Sequence, residues 1–506
     1  MKSTNLSLIA GTVALAAVTG FAALSAPGDA DATGAKAAAR LPVERSSLLC
    51  PAPGLSELAE TTYTTFTPAS GAGGEAGTAE LKPSVPTTAD ADDGTTAKKD
   101  TKKKAAGSDK PVVSLKEPGK PATADASGSD APALVGTATG KLAPGWTTQQ
   151  TTTVSTGASR GLLGVSCTGP DTDFWFPAAS TAKSSEDYVH LTNPDDTAAV
   201  ADIELYGPDG SLKSDVGEGI TVPARSSVPV LISTLTSEVA DDVTIHVTTR
   251  TGRVGAVVRA ADGAGSDWLT ASVDPTGTLV LPGIPADATS VRLVAFAPGE
   301  EDADLKLKLL GKSGAISPAG HEDLHVKSSM TAGVDLKDIT RGEAGSLLLT
   351  PAQSGQATPV VAALRVVRGT GDKQEVAYIP ATGPVGAQAT VAGNRAKGSV
   401  LSLTAPGATG TVKVTASAGS GGGERTVKTY TVKGGTTLAV TPQVPAGLKG
   451  SYALTVETES GGPVHAARTL TLPEDGIPMF TVQTLPDDGG TVEVPAAEQD
   501  LSVLDD

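Results

Sequence analysis

Aromatic residues make up only 3% of this 506-residue chain: six Phe, six Tyr and three Trp. A protein that grips sugar rings by stacking needs exposed aromatics. Trp146, Trp175 and Trp268 are the only tryptophans it could use. Cysteine is scarcer still, and two residues cannot build a cysteine zinc cluster. Cations are in deficit, with 39 Lys and Arg against 56 Asp and Glu, a net charge of −17. This argues against a phosphate-backbone partner, which needs clustered Lys and Arg, so no nucleic acid is expected. The same charge suits solubility outside a cell. Phosphate-binding Gly-rich loops and calcium EF-loops are missing as well. Only one run, residues 6 to 24, is apolar for long enough to span a bilayer.

That run follows Lys2 and precedes small residues, with Ala30-Asp31-Ala32 as a cleavage site. Residues 1–34 therefore read as an export signal, or, uncleaved, as a single-pass anchor helix. The expected location is extracellular, or membrane-anchored and facing outside. Cys50 lies 26 residues past the apolar run, so "SLLCP" is not a lipoprotein box. Export and an even cysteine count favour a disulfide between Cys50 and Cys167. It would pin "RLPVERSSLLCP" to "GLLGVSCTGP".

Ala, Gly, Thr and Val are abundant, with 59 Gly and 35 Pro, which points to an all-β protein. Residues 40–68 read as an N-terminal strand region. Residues 69–142 are Gly, Ala, Thr, Pro and charge, and are expected to be a disordered insert with a basic island, "KKDTKKK". The remainder repeats. Three units open at "WFP" (175–177), "VLP" (280–282) and "YIP" (378–380), with Pro177, Pro282 and Pro380 about 100 residues apart. Each runs on to a turn ("YVHLTNP", "VRLVAFAP", "VLSLTAP") and an alternating strand such as "ADIELYG". "ITVPARSSVPVLISTL" from Ile220 lies over "LHVKSSMTAGVDLKDI" from Leu324 without a gap. The expected fold is all-β, with three tandem immunoglobulin-like β-sandwiches at 143–265, 266–370 and 371–485. Stacked, they would make an elongated arm, followed by an acidic tail at 486–506. A β-propeller would repeat at about half this period. Matching turns sets His190 opposite Leu293, and Trp175 opposite Val280 and Tyr378. A position that accepts such different residues belongs to a core or an edge.

The order "RLPVERSSLLCP", insert, "WFP", "LTNP", "ELYGPDG" resembles exported actinomycete proteins of the domain of unknown function 5719 family, from about Arg40 towards the C-terminus. The Cys50 motif is the most specific part. The resemblance implies an exported envelope protein, associated with membrane glycosyltransferases and hence with envelope polysaccharide. It supplies no catalytic residues.

Two motifs suggest enzymes. "HEDLH" places His321, Glu322 and His325 in the zinc-protease pattern, which needs both histidines on one helical turn. Here it runs into a strand, where residues four apart lie ~13 Å from each other. "GASRG" around Ser159 fits Gly-x-Ser-x-Gly, but strand-like stretches flank it and it reads as a hairpin turn. His246 and His465 lie in strand-like segments. "LPEDG" (472–476) has Asp475 where a sortase signal needs Thr, and no apolar tail follows. No catalytic residue, cofactor or metal is expected. The expected function is a non-enzymatic envelope scaffold whose partner is an envelope protein or polysaccharide. The alternatives are a glycan-binding or accessory subunit and, remotely, a zinc hydrolase.

Overall fold

The computed structural model describes residues 39–494 apart from 55, 70–74, 87–109, 158, 215, 354 and 356. The signal or anchor at 1–34, the basic island and residues 495–506 lie outside the described residues. Among the described residues, no helix is long and apolar enough to cross a membrane. Two units are distinguished. One is small, and in it residues 39–41 pair with 492–494 in a two-stranded sheet. The other, Pro42–Thr491, holds the sandwiches.

The chain is all-β, and one eight-strand plan occurs four times. The first sandwich is β1 (Arg45–Cys50), β2 (Glu60–Phe66), β3 (Ala79–Pro83), β4 (Val113–Leu115), β5 (Ala122–Ser127), β6 (Leu134–Thr139), β7 (Thr147–Val154) and β8 (Gly161–Ser166). Its two sheets run β1-β6-β3-β4 and β5-β2-β7-β8. The second is β9 (Asp173–Ala179), β10 (Tyr188–Thr192), β11 (Ala199–Gly207), β12 (Ile220–Val222), β13 (Ser226–Leu231), β14 (Val243–Thr251), β15 (Gly255–Asp262) and β16 (Gly265–Leu269). The third is β17 (Leu279–Ile284), β18 (Ala288–Phe296), β19 (Ala303–Leu310), β20 (Asp323–Val326), β21 (Thr331–Lys337), β22 (Gly345–Pro351), β23 (Val361–Arg368) and β24 (Glu375–Pro380). The fourth is β25 (Gln388–Asn394), β26 (Ser399–Ala405), β27 (Gly410–Ala416), β28 (Thr426–Val432), β29 (Thr436–Val440), β30 (Tyr452–Gly461), β31 (His465–Thr471) and β32 (Phe480–Thr484). Strands eight apart take the same place in the same sheet.

Three expectations are corrected by this plan. The stretch 69–142 is not wholly an insert, because it supplies β3, β4, β5 and β6, and the sandwiches number four. Its core replaces aliphatic bulk with small residues and paired hydroxyls. Ala79 and Ala138 are buried, the Thr61 and Thr152 hydroxyls meet at 2.9 Å, and the Trp146 and Thr148 side chains donate to Thr65 Oγ1. "YIP" closes the third unit as β24, and the fourth opens ten residues later at β25. The boundaries at 265 and 370 move accordingly, to the far side of β16 and of β24.

The opening strands share a bulge. In β9, β17 and β25 the register shifts at Ala178, Gly283 and Gly393, all at positive φ (81°, 91° and 74°). A Cβ on Gly283 would lie 2.8 Å from the Ala467 Cβ, whereas on Gly393 nothing comes within 3.6 Å. Gly393→Ala should therefore cost about 1 kcal/mol from the left-handed backbone alone. Gly283→Ala should cost about 2 kcal/mol or more, because overpacking is added. Urea midpoints of the two variants check this; equal losses would show that the contact at Gly283 relaxes freely.

The third strand of a sandwich alternates. In β19, Ala303, Leu305, Leu307 and Leu309 are buried while Asp304, Lys306 and Lys308 face water. The seventh strand is instead buried on both faces, as in "GAVVRAAD" of β15 and "VAALRVVR" of β23. A strand covered on both sides loses its alternation. The second cover comes from the neighbouring sandwich: β9 packs on β18 and β23, β17 on β26 and β31, and β25 on β2 and β7. The last strands β8, β16, β24 and β32 meet in succession, and β32 returns to β8. Within Pro42–Thr491 the sandwiches therefore close into a ring and do not form the extended arm expected of stacked units.

The disulfide between Cys50 and Cys167 is present, with Cα atoms 4.5 Å apart. It ties the end of β1 in one sheet to the residue after β8 in the other.

Candidate functional site

The stretch "DFWFPAASTAKSSEDYVHLTNPDD" forms β9, a polar loop and β10. Its loop lines one side of a cleft of about 460 Å³ between the second and third sandwiches, through Ser180, Ser184, Ser185 and Asp187. Asp241, Asp242 and Asp262 complete the second sandwich's side. Arg292 and Val294 from β18, Arg365 from β23 and Tyr378 from β24 form the other. The backbone is strained on the second sandwich's side, where Ala178 and Asp242 sit at positive φ (81° and 57°).

Two cross-sandwich ion pairs fix the walls. Arg365 donates from Nε and Nη2 to Asp262 Oδ2 at 2.8 and 2.6 Å. Arg292 donates from the same two nitrogens to the Asp242 carboxylate. Both Arg365 and Asp262 are largely buried, at 27% and 19% side-chain exposure, so losing either would leave a charge stranded. Asp241 accepts from Ser180 Oγ at 3.0 Å and is exposed at the rim.

Asp187 is 3% exposed and has no cation bound to it among its hydrogen-bond partners. Its carboxylate accepts from the backbone N–H groups of Ser180 (2.8 Å) and Ala261 (3.3 Å). Burial pushes its pKa up to about 7, the Asp262 charge adding to the rise, against the lowering effect of those two hydrogen bonds. Tyr378 is buried beside it, and burial with the Asp187 and Asp262 charges raises its hydroxyl well above the usual range. The cleft thus offers carboxylate acceptors, a buried carboxyl whose pKa is raised towards neutrality, and several hydroxyls. Such a set suits a ligand rich in hydroxyl groups.

The residues singled out by sequence fall elsewhere. Asp323 and His325 are in the extended β20, and His321 lies in the turn before it, its N–H donating to Pro318 O. The His325 ring meets Asp304 at 2.8 Å and Asp302 at 3.4 Å, and Glu322 accepts from the Gly320 N–H. No group of three or more His, Cys, Asp or Glu suited to a metal ion occurs among the described residues. Ser159 sits in the turn between β7 and β8, its carbonyl accepting from Ser266 Oγ. His246 stacks on Trp175, 3.6 Å between ring centres, and contacts Glu204 and Asp173. His465 is buried with Nδ1 3.0 Å from Thr382 O. Trp146, Trp175 and Trp268 are all buried, so none is an exposed platform for a sugar ring.

His190 is not the counterpart of Leu293. Val189 lies opposite Val230 and Val258, as Leu293 lies opposite Val334 and Leu364. His190 therefore matches Val294, one residue on, and a one-residue slip exchanges the faces of a strand. Val189 fills its sandwich's core, whereas His190 and Val294 look towards the neighbouring sandwich.

The cleft residues Asp187, Asp241, Asp242, Asp262, Arg292 and Arg365 carried no local motif. They converge only because the ring packs β9 and its loop on β18 and β23. A search of curated proteins finds no match to the chain. A family model does match, over residues 122–443. That span starts at β5, inside the stretch expected to be an insert, and it leaves out the Cys50 segment. It includes every cleft residue. The chain belongs to this family, the family of unknown function DUF5719.

Proposed function

We propose that this chain is a non-enzymatic, exported cell-envelope protein that binds a neutral, polyhydroxylated ligand, the sugar unit of an envelope polysaccharide. The cleft between the second and third sandwiches is the site. The observation that carries the reading is the convergence, in one cleft of about 460 Å³, of Asp187, Asp241, Asp262, Arg365, Tyr378 and Ser180. Sugars are held by such planar polar side chains through paired donors and acceptors, and a cleft of this volume is in the usual range for small ligands. The two cross-sandwich ion pairs hold the walls in place before a ligand arrives, which reduces the ordering cost of binding. The apolar run at residues 6–24 and the disulfide support an extracellular setting.

The reading favours binding over a bare scaffolding role, since a scaffold needs no polar cleft between its units. Calorimetry of the purified chain against a panel of wall and capsular polysaccharides, and their mono- and disaccharides, tests it. At least one saccharide should bind, and Asp241→Ala should weaken it about 10-fold, the loss of one hydrogen bond to a charged acceptor. Asp241 is exposed and its removal leaves both ion pairs intact. No binding across the panel, or equal affinity in Asp241→Ala, would sink the reading.

A further inference from the structure

The ring repeats the junction that forms the cleft, and the junction one earlier holds a second, chemically different cavity. There β1 of the first sandwich faces β10 and β15 of the second, and β32 of the fourth closes the third side. The cavity is about 150 Å³ and is lined by Leu49, Phe174, Val257 and Val482, with His190, Gln483 and Thr192 as its buried polar side chains. His190 is 5% exposed and Gln483 4%. His190 Nε2 and Gln483 Oε1 have no hydrogen-bond partner. Gln483 uses its other end, donating from Nε2 to Thr481 Oγ1 at 2.8 Å.

The third junction carries a small residue at this place: Leu401 lies opposite Val440 and Arg468 as Val189 lies opposite Val230 and Val258, so the counterpart of His190 is Ser402. A buried polar atom left without a partner costs on the order of 1–3 kcal/mol, so such atoms usually answer to something that fills the space.

The lining also limits what that is. It contains no carboxylate, Lys or Arg. Burial and the nearby Arg259 charge push the His190 pKa down to about 3, so the imidazole is neutral and offers one donor or one acceptor. No charged group lines the cavity to pair directly with a charged ligand. A dry cavity of roughly 150 Å³ is known to hold a benzene-sized ring.

We propose that this cavity is a binding site for a small neutral molecule of single-ring size that carries a hydroxyl group, held by His190 and Gln483 within an apolar wall. The site is separate from the polar cleft, and neither depends on the other. The full chain is titrated with phenol and toluene, and with benzoate and benzylammonium as charged probes of the same size, by calorimetry and ligand-detected NMR. Phenol and toluene should bind saturably at one site, and the charged probes should not bind. His190→Leu should weaken phenol at least 10-fold while leaving toluene as tight or tighter. Val257→Phe, which fills the space from the same strand face, should abolish both. Near-UV circular dichroism establishes that each variant is folded, and if Val257→Phe is not, His190→Leu alone decides. No saturable binding of either neutral probe overturns the proposal, as does equal phenol affinity in the wild type and His190→Leu. Binding of benzoate as tight as that of phenol overturns it too.

Discussion

Replacing Cys50 and Cys167 together by alanine is expected to destabilise the protein by about 5 kcal/mol, the chain-entropy value for a loop of this length. The bridge joins residues 117 apart in sequence. Everything from β2 to β8 lies inside that loop, so the disulfide encloses nearly the whole first sandwich. This sandwich needs it more than the others do. Its core is made of Ala79, Ala138 and paired threonines around Leu81, Leu134 and Trp146, and it holds less aliphatic bulk than the third sandwich, where Leu, Val and Ile residues dominate. The consequence reaches beyond one unit, because β8 meets both β16 and β32 at the centre of the ring. Guanidinium unfolding of the wild type, with and without reductant, and of the double alanine variant should show the shift. A loss below about 1 kcal/mol would mean that the unfolded chain is already compact between the two cysteines.

Glu375→Gln is expected to make the protein more stable above pH 8 and to flatten its pH dependence. Glu375 begins β24 and its side chain is fully buried, where the last strands meet. Its Oε1 accepts from the Leu162 N–H at 2.9 Å, and Arg160 Nε stands 4.0 Å from Oε2. Arg160 itself is held by the carbonyls of Ala264 and Gln374. Burial raises the Glu375 pKa from 4.5 to about 8, although the Leu162 hydrogen bond and the charges of Arg160 and Arg368 oppose the rise. Between those two values the folded protein keeps a proton that the unfolded chain has released. The contribution is therefore complete below about pH 4.5 and is lost as pH rises through 8. At about 1.4 kcal/mol per pKa unit, the loss is on the order of 2–4 kcal/mol by pH 9. Glutamine keeps the acceptor for Leu162 and cannot ionise. Asp187 and Asp267, both raised by burial, act in the same direction but remain in both proteins, so the difference between the two curves isolates Glu375. Parallel stability curves from pH 5 to 9 would contradict this account.

Much of the fold was legible in the sequence, and particular residues show where reading stopped. The gapless match of Ile220 to Leu324 and Val230 to Val334 is reproduced strand for strand, as β12 with β20 and β13 with β21. Pro177 and Pro282 mark the same bulge. The copy of that bulge in the fourth sandwich lacks the proline marker, because Ala392 stands where Pro177 and Pro282 stand in the other two, and "YIP" lies nearby as a decoy. The first sandwich was missed because alanine and threonine, usual in disordered segments, here pair their hydroxyls and pack. Ring closure had a signal that went unread: "GAVVRAAD" and "VAALRVVR" are too apolar on both faces for a sheet with one wet side. Had Pro194 been matched to Pro298, Val189 would have fallen on Leu293 and His190 would have emerged as an interface residue. The cleft had no such signal. Its residues are scattered from Ser180 to Tyr378, and only the packing of one sandwich on the next assembles them.

The closed ring also has one junction unlike the rest. Val43 N donates to Gly490 O at 3.1 Å, so the beginning of the first sandwich and the end of the fourth meet without a peptide bond between them. The other three junctions are tethered by the chain. This one is a clasp, held by that hydrogen bond, by β25 against β2 and β7, and by β8 against β32. It is the place where the ring can open while all four sandwiches stay folded and no peptide link has to stretch.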